Sequence, residues 1–266
     1  MEQQPQTLTQ QQVMTTTGPL LVRTTCAQNG VLLTDEQLRL LEEYAVRLIE
    51  WNQKINLISR RDEENFWTRH MLHCLGLLCK VEFAEGVKIL DLGTGGGLPG
   101  VVLKIVRPDL LLTLVDSTQK KINVVKDILG SLSLTGIDAV WGRAEDLGKQ
   151  REYAERYDVV VARAVAPLKD LQRWSYPFLK KSTVGGDTRM GDTPPPTTKQ
   201  ISGPALVAFK GGDLADEINQ LRNHPNVGTI STIELTLNGS TQLDDRDKKI
   251  VIVEYARSTK QKVKNT

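Results

Sequence analysis

Residues 87 to 100, VKILDLGTGGGLPG, constrain the fold more than any other stretch: an apolar run reaches Asp91 and then meets glycines at 93, 95, 97 and 100. Glycine accepts the backbone of a sharp strand-to-helix turn and lets a ligand approach the main chain, and the helix that follows offers unpaired N–H groups. A nucleotide-type ligand is the expected occupant. Spacing narrows the choice. A dinucleotide fingerprint has glycine at its first, third and sixth positions, whereas the sixth position from Gly93 is Leu98, so the usual pyrophosphate seat is altered.

From Val87 onward apolar runs alternate with helical segments. The candidate strands are KILDLG, LLTLVD, DAVWG, DVVVARA and ALVAFKG, then TIELTL and KIVIVEY; helices are expected between the first five and from Leu214 to Arg222. This α/β alternation predicts a Rossmann-like, doubly wound, mostly parallel seven-stranded sheet whose ligands sit at the carboxyl ends of its strands. The last two strands, with no helix between them, predict an antiparallel hairpin. Asp116 closes the second strand, 25 positions beyond Asp91. A carboxylate there can accept hydrogen bonds from both hydroxyls of a ribose. The alternative is a plain tight turn at the glycines, with Asp116 capping the next helix.

Ahead of the sheet, residues 1–33 are rich in Gln and Thr and are expected to form a variable, flexible tail. Residues 34–85 read as a helical cap. Thr34 and Gln37 have capping-box spacing, Leu38, Leu41, Ala45, Leu48 and Ile49 share one face, and a second segment from Glu63 to Lys80 carries Phe66, Trp67, Met71, Leu75 and Leu78 as its buried side. The main domain is expected over 86–257, interrupted by a Gly/Pro/Thr-rich flexible insertion at 182–203 and followed by a basic tail at 258–266.

Charged residues make up 25% of the 266 positions and hydrophobic ones 39%, which suits a globular chain with a sizeable core, and the formal net charge of +2 gives no global argument for nucleic-acid binding. Cys26, Cys74 and Cys79 contain no CxxC pair and read as reduced cytoplasmic thiols, with no metal site. No run of about 20 apolar residues is present, and the polar start MEQQPQTLTQQQ lacks a signal-peptide core, so a cytoplasmic protein is expected.

Asp91 followed by Gly93, Gly95 and Gly97 resembles the first motif of the class I S-adenosylmethionine (AdoMet) methyltransferases. Further segments sharpen this: WNQKINLIS (51–59) with RHMLHC (69–74), DST (116–118) and VVVARAVAPL (159–168). Taken in order with DLGTGGGLPG, they resemble the bacterial 16S ribosomal RNA guanine-N7 methyltransferase family, RsmG, also called glucose-inhibited division protein B. The resemblance runs from about Thr34 to Tyr255. It implies methyl transfer from AdoMet, leaving S-adenosylhomocysteine, to N7 of one guanine of 16S rRNA, position 527 in the usual rRNA numbering. It implies the small ribosomal subunit or its assembly intermediate as partner, a monomeric enzyme and no membrane association. Carried over by motif, AdoMet contacts fall on Gly93 and Leu98, on Ala144 and Glu145, and on Arg163. Gly95 and Gly97 belong to the same loop, and Asp116 fits the ribose-binding acid of the wider superfamily. Many members have Asp-Ser where this chain has His73 and Cys74, and most have a short turn where it has the insertion.

Guanine N7 is a neutral nitrogen with an available lone pair, so this chemistry needs alignment and no general base. No catalytic acid or base is therefore assigned, and His70 and His73 read as structural. Arg163, directly after a strand at the ligand edge, can stack on a base or bind a carboxylate or phosphate; its alternative is an ion pair with Asp91 or Glu145. No N/D-P-P-Y segment follows that strand, as amino-group enzymes require, and no cysteine stands there for a covalent cytosine route. Candidate RNA contacts are Arg60, Arg61, Arg69, Lys120, Lys121, Lys126 and Lys210. Trp141 and Trp174 read as core rather than base platforms. The rivals are an NAD-dependent oxidoreductase, a methyltransferase fold kept as a noncatalytic ribosome-binding module, and a small-molecule methyltransferase.

Overall fold

The computed structural model describes residues 10–163, 166–181, 198–201, 203–240 and 247–256, with side chains described from residue 18. In chain order the elements are α1 (Gln10–Gln28), α2 (Asp35–Asn52), a π-helical turn (Trp67–Met71) running into α3 (Leu72–Lys80), β1 (Val81–Phe83), β2 (Lys88–Leu92), α4 (Gly100–Val106), β3 (Leu111–Asp116), α5 (Gln119–Ser131), β4 (Ile137–Trp141), α6 (Ala144–Leu147), β5 (Val159–Arg163), α7 (Leu168–Ser175), β6 (Lys199–Ile201), β7 (Ala205–Gly211), α8 (Ala215–Arg222), β8 (Val227–Glu234) and β9 (Lys248–Tyr255).

The main sheet has seven strands in the order β4-β3-β2-β5-β7-β9-β8. Its first five strands are mutually parallel, and β9 is antiparallel to both β7 and β8. This is the expected α/β class I methyltransferase arrangement. The strand order reverses on either side of β2, so the loops after β2, β3 and β5 open onto one crevice. Central strands read as unbroken apolar runs because helices cover both faces: Val159 to Ala162 and Ala205 to Phe209 are buried throughout.

Three expectations are corrected. The supposed flexible tail contains α1, whose Val22 and Cys26 are fully buried and whose Gly18 lies so close to the Trp67 indole that a Cβ would overlap the ring. Its Gln- and Thr-rich sequence gives almost no amphipathic signal, which is why periodicity missed it. The strand expected over TIELTL begins earlier, at Val227, and stops at Glu234. Leu235 and Leu237 lie past its end and pack instead into the core shared with the N-terminal helices, Leu235 against Gly76. Finally, the end of the 182–203 insertion supplies β6, which pairs in parallel with β1 as a separate two-stranded ribbon (Val81↔Lys199, Phe83↔Ile201). Residues 182–197 and 202 and the basic tail at 258–266 lie outside the described residues.

Helix α2 starts as the spacing suggests, whereas the segment expected as one helix from Glu63 to Lys80 becomes helical only near Phe66 and passes through the π-helical turn, with Leu78 half-buried. The Thr34 hydroxyl accepts the Gln37 N–H at 3.1 Å, while Gln37 Oε1 accepts the Thr34 N–H at 3.0 Å, closing both ends of a capping box. The buried Asn52 then fixes the WNQKINLIS loop, since its Oδ1 accepts the N–H groups of Leu57 (2.7 Å) and Ile58 (3.0 Å) and its amide donates to Glu63 Oε1. Leu48 and Leu57 press on Gly96, and the buried Tyr44 hydroxyl donates to the Gly96 carbonyl at 3.0 Å. The cap therefore braces the glycine loop from behind. Among the described residues no helix is long and apolar enough to cross a membrane.

Candidate active site

The glycine loop turns on three positive-φ residues, Gly93 (73°), Gly95 (58°) and Gly97 (101°), a conformation that side-chain-bearing residues rarely adopt. Gly100 is required for a different reason: a Cβ there would overlap Leu114 and come within 2.8 Å of Asp91 Oδ2. Asp91, fully buried, ties the loop's two ends together by accepting the Thr94 hydroxyl (2.7 Å) and the Gly100 N–H (2.9 Å) on Oδ2. Burial pushes its pKa up to about 6, against the downward pull of those two hydrogen bonds, and its Oδ1 has no partner among the described residues.

Asp116 lies at the carboxyl end of β3. Its Oδ2 accepts the Gly95 N–H at 3.0 Å and its Oδ1 the Thr118 N–H at 2.8 Å. Asp116 thus pins the glycine loop to the turn before α5, whose N-cap residue Thr118 provides no side-chain cap. Each carboxylate oxygen retains a further lone pair for a ligand hydroxyl. Around it opens a cleft of about 150 Å³ that gathers Gly93, Asp116, Ala144 and Glu145. Sequence reasoning missed the other walls, among them Ser117, Arg143 and Trp174. Trp174, read as core, is half-buried on this cleft, with its Nε1 buried and unpartnered among the described residues. Trp141, also read as core, is 54% exposed and donates to the Ser117 carbonyl at 3.1 Å. Trp141 ends the edge strand β4 and Trp174 lies in the last turn of the eight-residue helix α7, and both are too near an element's end for a local pattern to show which way they face. Gly95, Gly97 and Leu98 do not line this cleft; Leu98 is buried in the main core, joined to Pro99 by a cis peptide bond.

The pairing of Leu92 with Ala162 sets Arg163 alongside Gly93, at the neighbouring strand's end. The ion pair with Asp91 or Glu145 is not formed. Arg163 instead donates from Nε to His73 Nδ1 (3.3 Å) and from Nη2 to the Arg69 carbonyl (3.1 Å), with Nη2 also 2.8 Å from His70 Nδ1. An arginine has no acceptor, so both histidines must present Nδ1 as a lone pair and carry their proton on Nε2. Burial, reinforced by the Arg163 charge, lowers the pKa of His70 to about 4 and that of His73 well below its ordinary value, so both are neutral at pH 7. A second cavity, about 350 Å³, adjoins this group and is lined by His73, Arg163, Ala166, Phe209, Lys210, Gly211 and Lys248.

The candidate RNA residues are scattered. Arg60, Arg61 and Lys120 are exposed and Lys121 is half-exposed. Arg69 is ion-paired with Asp62, and Lys210 with Glu217 at 2.9 Å. Lys126 is displaced from the rim, because its position within α5 turns it toward a groove along the outer strand β4. Among the described residues there is no group of three or more His, Cys, Asp or Glu able to hold a metal.

A family model described as GidB, rRNA small subunit methyltransferase G, matches residues 37–185. Proteins named ribosomal RNA small subunit methyltransferase G are similar to the chain. The one from Moorella thermoacetica is 40% identical over 59% of this chain and 64% of its own length, a little under two thirds. That from Alkaliphilus oremlandii is 36% identical over 71% and 78%, and that from Clostridium botulinum 29% identical over 91% and 92%.

Proposed function

This chain belongs to the rRNA small subunit methyltransferase G family, and from that premise we propose that it transfers the methyl group of AdoMet to N7 of a guanine in 16S rRNA, acting as a monomer in the cytoplasm on the small ribosomal subunit or an assembly intermediate. The observation that carries the reading is the pair of cavities at the carboxyl ends of neighbouring parallel strands, one holding Gly93 and Asp116 and the other Arg163.

The residues present fit the cofactor. Asp116 keeps lone pairs for the ribose hydroxyls, the buried Trp174 Nε1–H supplies an unspent donor in the same cleft, and Gly93 leaves the main chain uncovered. Bound AdoMet would supply a sulfonium methyl, an electrophile needing no activation by the protein. The chain's contribution is then positional. The glycine loop and Asp116 would hold the donor's nucleoside end and Ala144 and Glu145 its side, while Arg163, at the end of the neighbouring strand, lines the second cavity. Neutral His70 and His73 suit a reaction in which no proton is removed before attack, because N7 offers its lone pair directly. Alignment of this kind is worth effective molarities of about 10⁵–10⁸ M.

Mass mapping of small-subunit rRNA with and without the protein tests the proposal. N7-methylguanosine at a single site, dependent on the protein and on AdoMet, is the expected result; a methyl group on another atom or another RNA defeats it.

A further inference from the structure

His73, on the wall of the second cavity, carries a buried hydrogen-bond donor with no partner among the described residues. Arg163 Nε–H occupies His73 Nδ1, which places the imidazole proton on Nε2, and this N–H has no partner among the described residues although His73 is 6% exposed. The ring is held firmly, edge-on to Phe209 at 5.0 Å. Lys210, held by Glu217 and the Ala166 carbonyl, and Lys248 also line this cavity, whose described wall carries no acidic side chain. A buried donor without an acceptor is costly, so its retention calls for an occupant that brings one.

Guanine meets that demand. Its N7 and O6 lie side by side as acceptors on one edge, whereas adenine pairs its N7 with an exocyclic N–H₂ donor at the same place. Resting on the guanine reading above, we propose that this cavity seats the target base and that His73 Nε2–H donates to guanine O6, making His73 the residue that selects guanine over adenine. Bonding O6 leaves the neighbouring N7 lone pair free for the methyl group, while adenine would set N–H against N–H. Arg163 acts here partly through His73, as the group that fixes the imidazole tautomer.

The test uses the full chain and its rRNA substrate carrying, at the modified position, either guanine or 2-aminopurine, which keeps N7 and lacks O6. The wild-type protein is expected to lose about tenfold or more in kcat/KM on 2-aminopurine, the scale of one hydrogen bond with a buried partner. His73→Phe should lose a similar factor on guanine and nothing further on 2-aminopurine, while His73→Gln, which retains an N–H, recovers discrimination. AdoMet binding by calorimetry should match wild type in each and certifies the fold; if phenylalanine is not accommodated, His73→Leu makes the same comparison. Equal wild-type rates on the two bases, or an unchanged guanine preference in His73→Phe or His73→Leu, overturn the assignment. A wild-type protein that binds AdoMet yet never methylates the guanine substrate removes the underlying functional reading instead.

Discussion

At the residue scale the site depends on groups whose ionisation is set by burial. Asp91 is the clearest. With its folded pKa pushed up to about 6 from an ordinary 3.8, the native state holds a proton that the unfolded chain has already released, so its contribution to stability declines as pH rises between those values. The full effect approaches about 3 kcal/mol. His70 runs the other way: lowered from 6.5 to about 4, it contributes stability above pH 6.5 that is lost as pH falls toward 4. The two oppose one another in the wild-type profile, so the informative quantity is a difference. Asp91→Asn keeps an oxygen for Thr94 and Gly100, and its unfolding free energy in urea, measured from pH 4 to 7, should rise relative to wild type as pH increases; a constant offset contradicts the buried, proton-holding carboxyl. Arg163 is the second residue of consequence. Arg163→Ala should lower methylation by about tenfold or more through weaker AdoMet or RNA engagement, with an intact far-ultraviolet circular dichroism spectrum; near-wild-type methylation by the folded variant would remove Arg163 from the site.

At the scale of elements, each strong local signal became the structure it implies and each weak one did not. The capping box at Thr34 and Gln37 is formed in full, so Thr34→Ala should cost about 1 kcal/mol in urea denaturation, an effect that vanishes if the helix start is held by packing alone. The seven strands and the glycine turn were legible because central strands buried on both faces are continuous apolar runs and because positive φ demands glycine. What escaped had no periodicity to read. Helix α1 is polar in composition yet packs on Trp67, β1 and β6 are three residues each, and β8 is an edge strand whose following leucines serve the core. In the site, Asp116 and Gly93 were legible from spacing. Their convergence with Trp174, and that of Arg163 with His73 and Phe209, depends on elements distant in sequence, and no local pattern encodes it.

For the whole molecule, the weak net charge of +2 means that any affinity for RNA rests on where cations lie. Arg60, Arg61 and Lys120 are exposed, whereas Arg69 and Lys210 are already engaged by Asp62 and Glu217 and Lys126 lies away along β4. Arg60→Ala or Lys120→Ala should each reduce the slope of log affinity against log salt by about 0.7 to 0.9, while Lys126→Ala leaves it unchanged. Filter-binding titrations from 50 to 200 mM salt on the order of physiological strength would read this directly; an RNA affinity indifferent to salt would exclude a basic docking face.

The order β7-β9-β8 puts the latest-made of the described strands inside the sheet, with an earlier one outside it. During translation, therefore, β8 waits without its neighbour, and the apolar flank of β7 stays open until residues 248 to 255 leave the exit tunnel and slide into the gap. A nascent chain stalled before that point carries a half-built edge ready to pair with the wrong strand.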